Sequence, residues 1–311
     1  SLSANTSYQG ELTQALGGKL AGWETGMPPH TPREAVLAMS EKAREVSADL
    51  VVTFGGGSLT DAGKMVRLAL QHDITDIDGF DAFRSVVNAD GSSHRPDIEP
   101  LSVPQVTIPT TLSGGEFNVS AGCTHVQAKA KQLYRHTSLV PTAVILDPAT
   151  TIYSPEWLWL STGMRAVDHC VETICSQHGH RQSDGAALNG LRLLVQGLSA
   201  AKENSNDLEA RLNCQIGAWQ SMEHNQSSVP MGASHGIGHV LGGTCGVPHG
   251  HTSCVMLPAT LRWNVSVNAD RQALVAEAFG RPGAAAADAV EDFVRGLGQP
   301  TRLSEVGVGP E

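Results

Sequence analysis

The sequence predicts a parallel α/β sheet domain followed by an all-helical domain, and two observations carry that prediction. In the first half, apolar runs of strand length alternate with stretches of helical spacing. After Asp147-Pro148 the helical spacing continues with hardly a strand between. Near-continuous apolar strands joined by helices mark a parallel sheet covered on both faces. The change of texture places a domain boundary near residue 150, giving an α/β domain over residues 1–150 and a helical one over 151–311.

Taken in order, "SADLVVTFGGGSLTDAGKMVRLAL" reads as a buried strand, a tight glycine turn and a helix. "VPQVTIPTT" and "TAVILDP" are further β-branched runs bounded by Pro, Gly and Asp, as strands are. Beyond the boundary, "PEWLWLSTGMRAVDHCVETICS", "GAALNGLRLLVQGLSAA", "LEARLNCQIGAWQSM" and "DRQALVAEAFG" carry helical periodicity. "GRPGAAAADAVEDFVRGLG" reads as a turn and then a helix, because apolar spacing resumes at Val290, Phe293 and Val294. No repeat of solenoid length is present.

Composition excludes several function classes. A net charge of −10 offers no basic stripe to phosphates, which argues against a nucleic-acid partner. The apolar runs fall far short of the ~20 residues a membrane-spanning helix needs. Six cysteines form neither CxxC nor a disulfide-like framework, so they read as small core residues of a protein in a reducing cytoplasm. The chain begins at Ser1 without a methionine, so its true beginning is expected to lie upstream.

Two stretches after strands are suited to a ligand. Gly55, Gly56 and Gly57 allow close backbone approach, and Ser58 to Asp61 open a helix whose free N–H groups and dipole favour an anion such as a pyrophosphate. The bland alternative is an ordinary strand–helix turn capped by Ser58 or Thr60. The G-x-G-x-x-G dinucleotide fingerprint is absent. In "IPTTLSGGEFN", Thr110, Thr111 and Ser113 offer hydroxyls to a ribose, phosphate or amide, and serve equally well as turn residues. A third stretch, "SHGIGHVLGGTCGVPHGH", gathers His235, His239, His249 and His251 into eighteen residues. It is open to reading as a metal site, an acid–base site or a histidine-rich loop.

The ordered motifs "GGGSLTD", "PTTLSGGEF", "DPATT", "STGMRAVDHCVE" and "HGIGHVLGGTCGVPHG" resemble the iron-containing alcohol dehydrogenase superfamily over essentially the whole chain. "TTLSGGEF" and "GMRAVDH" look most like its maleylacetate reductase branch. The resemblance implies a Rossmann-like NAD(P)-binding domain, a helical domain of the dehydroquinate synthase-like two-domain plan, and a cytoplasmic homodimer. It also implies that the first strand and the last C-terminal helices of the family lie outside this chain. Gly55, Gly56, Gly57, Ser58, Asp61, Thr110, Thr111 and Ser113 become the expected contacts of NADH or NADPH. They are expected to face the histidines across a cleft, because ligands of open α/β sheets bind outside the strand carboxyl ends.

In metal-dependent members of the resembled family the ligands are an Asp and a His one helical turn apart, plus two later histidines. His169, His235 and His249 match the histidines, but Arg165 occupies the Asp position. A guanidinium has no lone pair to give and repels a dication. Asp168 lies about 100° round the helix from His169 and is not expected to substitute. No metal is therefore expected; if Fe or Zn does bind, His169, His235 and His249 are its ligands. Arg165 is expected instead to grip a carboxylate of a small dicarboxylate substrate, with His169, His235, His239 and His249 stabilising an enolate and delivering a proton, His239 being the first candidate acid. The alternative orientation turns Arg165 outward to pair with Asp168 or Glu172. His251 matches no ligand position.

The implied reaction is NAD(P)H-dependent reduction of the maleylacetate C=C bond to 3-oxoadipate. Its rivals are a metal-dependent alcohol dehydrogenase, a lyase of dehydroquinate synthase type, and a dinucleotide-binding protein without turnover.

Overall fold

The computed structural model describes residues 6–87 and 92–309. The chain forms two compact units, one of residues 1–110 and 115–145, the other of residues 111–114 and 146–311.

The first unit begins with α1 (Tyr8–Leu16) and α2 (Arg33–Glu45). Strand β1 (Val51–Gly55) leads through the glycine turn into α3 (Gly57–Gln71). The short strands β2 (Val86–Val87) and β3 (Ser93–His94) pair with each other. Strand β4 (Gln105–Pro109) lies parallel to β1, with Val51 opposite Gln105 and Gly55 opposite Pro109. A hairpin of β5 (Ser120–His125) and β6 (Ala130–Arg135) follows, and β7 (Ala143–Val144) completes a parallel sheet of order β1-β4-β7.

The run "TAVILDP" thus contributes a strand of only two residues, extended by Ile145 N–H donating to the Thr107 carbonyl at 2.9 Å. Helix α3 starts at Gly57 with Gly56 as N-cap, so neither Ser58 nor Thr60 caps it. Gly63 lets α3 lie close on the sheet: a Cβ there would stand 2.5 Å from Thr53 and 2.7 Å from Gln105. Val36, Met65, Leu68, Phe80, Tyr134 and Leu139 form the core of this unit.

Lys64, wholly buried on α3, ties the segment before β5 in place. Its ammonium donates to the carbonyls of Gly115, Asn118 and Ser120 at 2.6, 2.8 and 2.8 Å.

The second unit is helical: α4 (Glu156–Cys175), α5 (Arg181–Glu203), α6 (Leu208–Ser221), α7 (Glu223–Gln226), α8 (Ala233–Cys245), α9 (His249–Ala278) and α10 (Ala286–Gly296). α4 runs through its centre, buried from Trp159 to Ile174 except for the half-buried Thr162 and Arg165. Trp159, Met164, Val167 and Val171 pack there with Leu194 and Leu198 of α5 and Leu257 of α9. α9 carries Pro258 and bends at Asn268, whose φ of −145° is not helical. Among the described residues no helix is long and apolar enough to cross a membrane.

Candidate active site

Helix α4 brings Arg165, Asp168, His169 and Glu172 into one buried cluster, and α8 and α9 close it. The closure depends on small residues. A Cβ on Gly238 of α8 would meet the Thr252 hydroxyl at 2.8 Å, and one on Gly242 would meet the His249 ring at 3.0 Å. These two glycines, one turn apart, form the hollow into which the start of α9 fits. Gly250 is tighter still: its Cβ would lie 2.4 Å from the Ser161 carbonyl oxygen of α4.

Glu172 is the anchor of the cluster. One carboxylate oxygen accepts the Ser234 N–H at 2.7 Å, while the other accepts the Gly232 N–H at 2.7 Å and lies 2.8 Å from His235 Nδ1. It thereby satisfies the exposed donors at the start of α8, which has no side-chain cap of its own. Burial pushes the Glu172 carboxyl up, but His235 and these backbone donors outweigh it and hold it below its usual value.

Asp168 is fully buried and accepts the hydroxyls of Ser234 at 2.9 Å and Ser253 at 2.6 Å, with His235 Nδ1 at 3.3 Å. Burial raises its pKa against the pull of His235.

Arg165 points inward, not outward. Its side chain is 12% exposed, Nη1 donates to Ser253 Oγ at 3.2 Å, and the Asp168 carboxylate stands 4.0 Å away. Burial lowers its pKa while Asp168 and Glu172 oppose that shift, and a guanidinium remains protonated near neutrality.

The His169 ring stacks between His224 and His235, at centroid distances of 5.1 and 4.7 Å. Burial together with the neighbouring positive groups holds His169 well below the usual histidine range and His224 at about 4, so both are neutral. Two buried nitrogens, His169 Nδ1 and His235 Nε2, find no hydrogen-bond partner among the described residues. His239, exposed on α8, sets its ring edge-on to His249 at 5.9 Å. His251 sets its ring 6.0 Å from that of Trp157.

Although 100° round the helix from His169, Asp168 reaches His235 because α8 approaches from that side. Asp168, Glu172, His224, Ser234 and Ser253 are thus cluster members that spacing did not assign. The only sequence signal for the two carboxylates was acidic residues four apart in an otherwise apolar helix.

The other candidate residues belong mostly to the first unit. Gly55 and Pro109 are register partners, so the glycine turn and Thr110 sit together at the carboxyl end of the parallel sheet, with the Thr110 N–H donating to the Gly55 carbonyl at 3.0 Å. The uncapped N-terminus of the fifteen-residue α3, opened by glycines at 56 and 57, fits a pyrophosphate. Ser58 Oγ accepts the His30 N–H at 3.2 Å. Asp61 accepts the Gly122 N–H at 3.1 Å, and burial raises its pKa against Lys64 and Lys131. It thereby ties α3 to the hairpin.

Thr111 and Ser113 part company with Thr110. Their segment belongs to the helical unit, with the Leu112 N–H donating to Thr162 Oγ1 at 3.1 Å.

Ligand atoms of Asp168, Glu172 and His235 lie within 4.8 Å of one another, close enough to consider a cation. They are, however, already hydrogen-bonded to each other, and Arg165 brings a fixed positive charge 4.0 Å from Asp168. With a guanidinium in place of the fourth ligand, the residues present do not fit the one-carboxylate, three-histidine metal site.

Comparison with known proteins agrees with this architecture. The iron-containing alcohol dehydrogenase model matches residues 2–148, and the C-terminal model of that family matches residues 159–311. Dehydrogenase ALT3 of Alternaria alternata is 33% identical over 100% of this chain and 88% of its own length. Dehydrogenase FUM7 of Gibberella moniliformis is 35% identical over 86% of this chain, which spans 65% of that relative. 4-Hydroxybutyrate dehydrogenase of Cupriavidus necator is 31% identical over 93% of this chain and 76% of that relative. The solved structure of maleylacetate reductase from Rhizobium sp. superposes with a TM-score of 0.80 at 28% identity, covering 98% of this chain and 76% of that one. A parallel-sheet unit with a glycine turn, a helical unit with histidines at 169, 235 and 249, and matches along both halves place the chain in the iron-containing alcohol dehydrogenase family of oxidoreductases.

Proposed function

We propose that the protein transfers hydride from NADH or NADPH to a small carboxylate-bearing substrate, with reduction of the maleylacetate C=C bond to 3-oxoadipate as the leading reaction. The observation that carries this reading is Arg165, a protonated guanidinium turned into the histidine cluster at the position where the family's metal-dependent members hold a carboxylate ligand. Its remaining N–H donors suit a carboxylate or a developing oxyanion. Support comes from relatives whose named substrates are carboxylates, 4-hydroxybutyrate and maleylacetate, the latter at 25–29% identity.

The nicotinamide cofactor supplies the hydride when bound. The chain's own groups do the rest. Gly55–Gly57 and the start of α3 receive the pyrophosphate, and Arg165 orients the substrate. The neutral rings of His169 and His224 keep the cluster from carrying further positive charge. His239, exposed beside His249, is placed to exchange a proton with solvent.

A second reading, a metal-dependent alcohol dehydrogenase, is favoured by the close approach of Asp168, Glu172 and His235. Following NADH absorbance with maleylacetate and then with simple aldehydes, each with and without chelator, separates the two. Chelator-insensitive oxidation of NADH by maleylacetate supports the first reading. Turnover of aldehydes alone, lost on chelation with one tight metal per chain, replaces it with the second. Substrate conversion with no net change in NADH would indicate a lyase.

A further inference from the structure

We propose that Glu172 and Asp168 are positioning residues that fix the His235 proton on Nδ1, so that whenever the ring carries a single proton its Nε2 is a lone-pair acceptor and not a donor. The inference rests on the reading that this cluster is the active site.

The geometry leaves His235 one choice of tautomer. Glu172 takes two backbone N–H donors and sits 2.8 Å from Nδ1; a carboxylate so served accepts, and the ring nitrogen must donate. Asp168 reinforces the arrangement from 3.3 Å, its own oxygen already accepting the hydroxyls of Ser234 and Ser253. The two carboxylates approach the same ring nitrogen, so both favour a proton there. The opposite nitrogen, Nε2, is buried and finds no partner among the described residues. An imidazole oriented by a carboxylate through one nitrogen works through the other.

A consequence follows for substrate handling. A developing oxyanion is met by Arg165, whose donors are permanent, and not by a singly protonated His235. The group that His235 faces must itself bring an N–H or O–H.

A cavity of about 90 Å³ in the helical unit is lined by Glu172, Gly232, Thr260, Asn264 and Asn268. It is large enough for a few atoms. Formate can therefore stand in for a missing Glu172 carboxylate.

The test is ¹⁵N–¹H long-range correlation NMR on the full chain with ¹⁵N-labelled histidine, assigned by difference from His235→Gln, without substrate or cofactor. At a pH where the ring carries a single proton, the unmodified protein is expected to show His235 predominantly in the Nδ1–H form. In Glu172→Ala the Nε2–H form should grow several-fold, and formate should restore the original signal saturably. A His235 that carries its proton on Nε2 in the unmodified protein overturns the proposal, whatever the variants do. So does a folded Glu172→Ala with an unchanged tautomer. Asp168→Asn, which keeps the side chain's shape, should shift the tautomer less than Glu172→Ala; an equal or larger shift overturns the leading role given to Glu172. Because the signal is read without turnover, failure of the substrate assignment leaves this result standing, and the converse holds too.

Discussion

At the scale of single residues, Arg165 decides what the cluster can do. It is nearly enclosed, hydrogen-bonded to Ser253 and 4.0 Å from Asp168, so its removal leaves a buried carboxylate without its cation. If Arg165 anchors substrate, Arg165→Ala should raise KM for maleylacetate while NADH affinity stays nearly constant. Losing a charge-assisted pair in a partly desolvated site costs roughly 2–4 kcal/mol, about 30- to 1000-fold in kcat/KM. Steady-state kinetics alongside NADH titration by fluorescence checks this, and an unchanged kcat/KM would remove Arg165 from the site. Arg165→Asp goes further: it recreates a carboxylate at that position and withdraws the repelling charge. It should abolish the reductase reaction and bind a divalent metal measurable by calorimetry.

At the scale of elements, the glycines between α4, α8 and α9 hold the histidines in place. A Cβ at Gly250 would meet a backbone oxygen at 2.4 Å, and backbone cannot swing aside as a side-chain tip can. Gly250→Ala should therefore push α9 off α4 and destabilise the fold by roughly 2–3 kcal/mol, the range of overpacking in a filled interior. Urea titration reads the loss; unchanged stability would mean α9 is free to slide. Gly56→Val bears on the other unit. It should raise the NADH dissociation constant by crowding the N-cap of α3, and a folded variant with unaltered affinity would remove that turn from the cofactor site. Gly55–Gly57 and the histidines at 169, 235 and 249 were legible in the sequence because short contiguous motifs carry them, whereas the packing roles of Gly238, Gly242 and Gly250 emerge only from the fold. The helices of the second unit were legible because their apolar spacing persists over many turns. Asp168, Glu172, His224 and Ser253 were not, because each gains its role only when α7, α8 and α9 fold against α4. The hairpin of β5 and β6 escaped notice for another reason: "SAGCTH" and "AKQLYR" lack the β-branched alternation that marks a strand. Its stability comes from packing Ala121, Cys123 and Tyr134 into the core of the first unit.

At the scale of the whole molecule, buried ionisable groups make stability depend on pH in opposing ways. His169 and His224, held below the usual histidine value by burial, take up protons more readily when unfolded. Through them stability rises as pH increases toward 6.5, the His224 part of it beginning near pH 4. Glu116 acts in the other direction. It is 2% exposed, and burial pushes its carboxyl from 4.5 up to about 7 in spite of Lys64 nearby. Between those two values the folded chain keeps a proton that the unfolded chain has released, so this group's contribution to stability falls as pH rises from 4.5 to 7. Lys64, lowered by burial to about 8, gives the converse at high pH: between 8 and 10.5 the unfolded chain holds the extra proton, and stability rises. The two effects leave the first unit bearing its largest ionisation cost between about 7 and 8. Glu116→Gln isolates one of them, because the amide keeps the shape and cannot ionise. The difference in unfolding free energy, unmodified protein minus Glu116→Gln, should fall by roughly 2–3 kcal/mol as pH rises from 4.5 to 7 and then level off. The histidine contributions cancel in that difference, so urea titrations of both proteins at half-unit pH intervals suffice. A flat difference curve would show that Glu116 ionises in the folded chain as readily as in water, and that Lys64 fully offsets its burial.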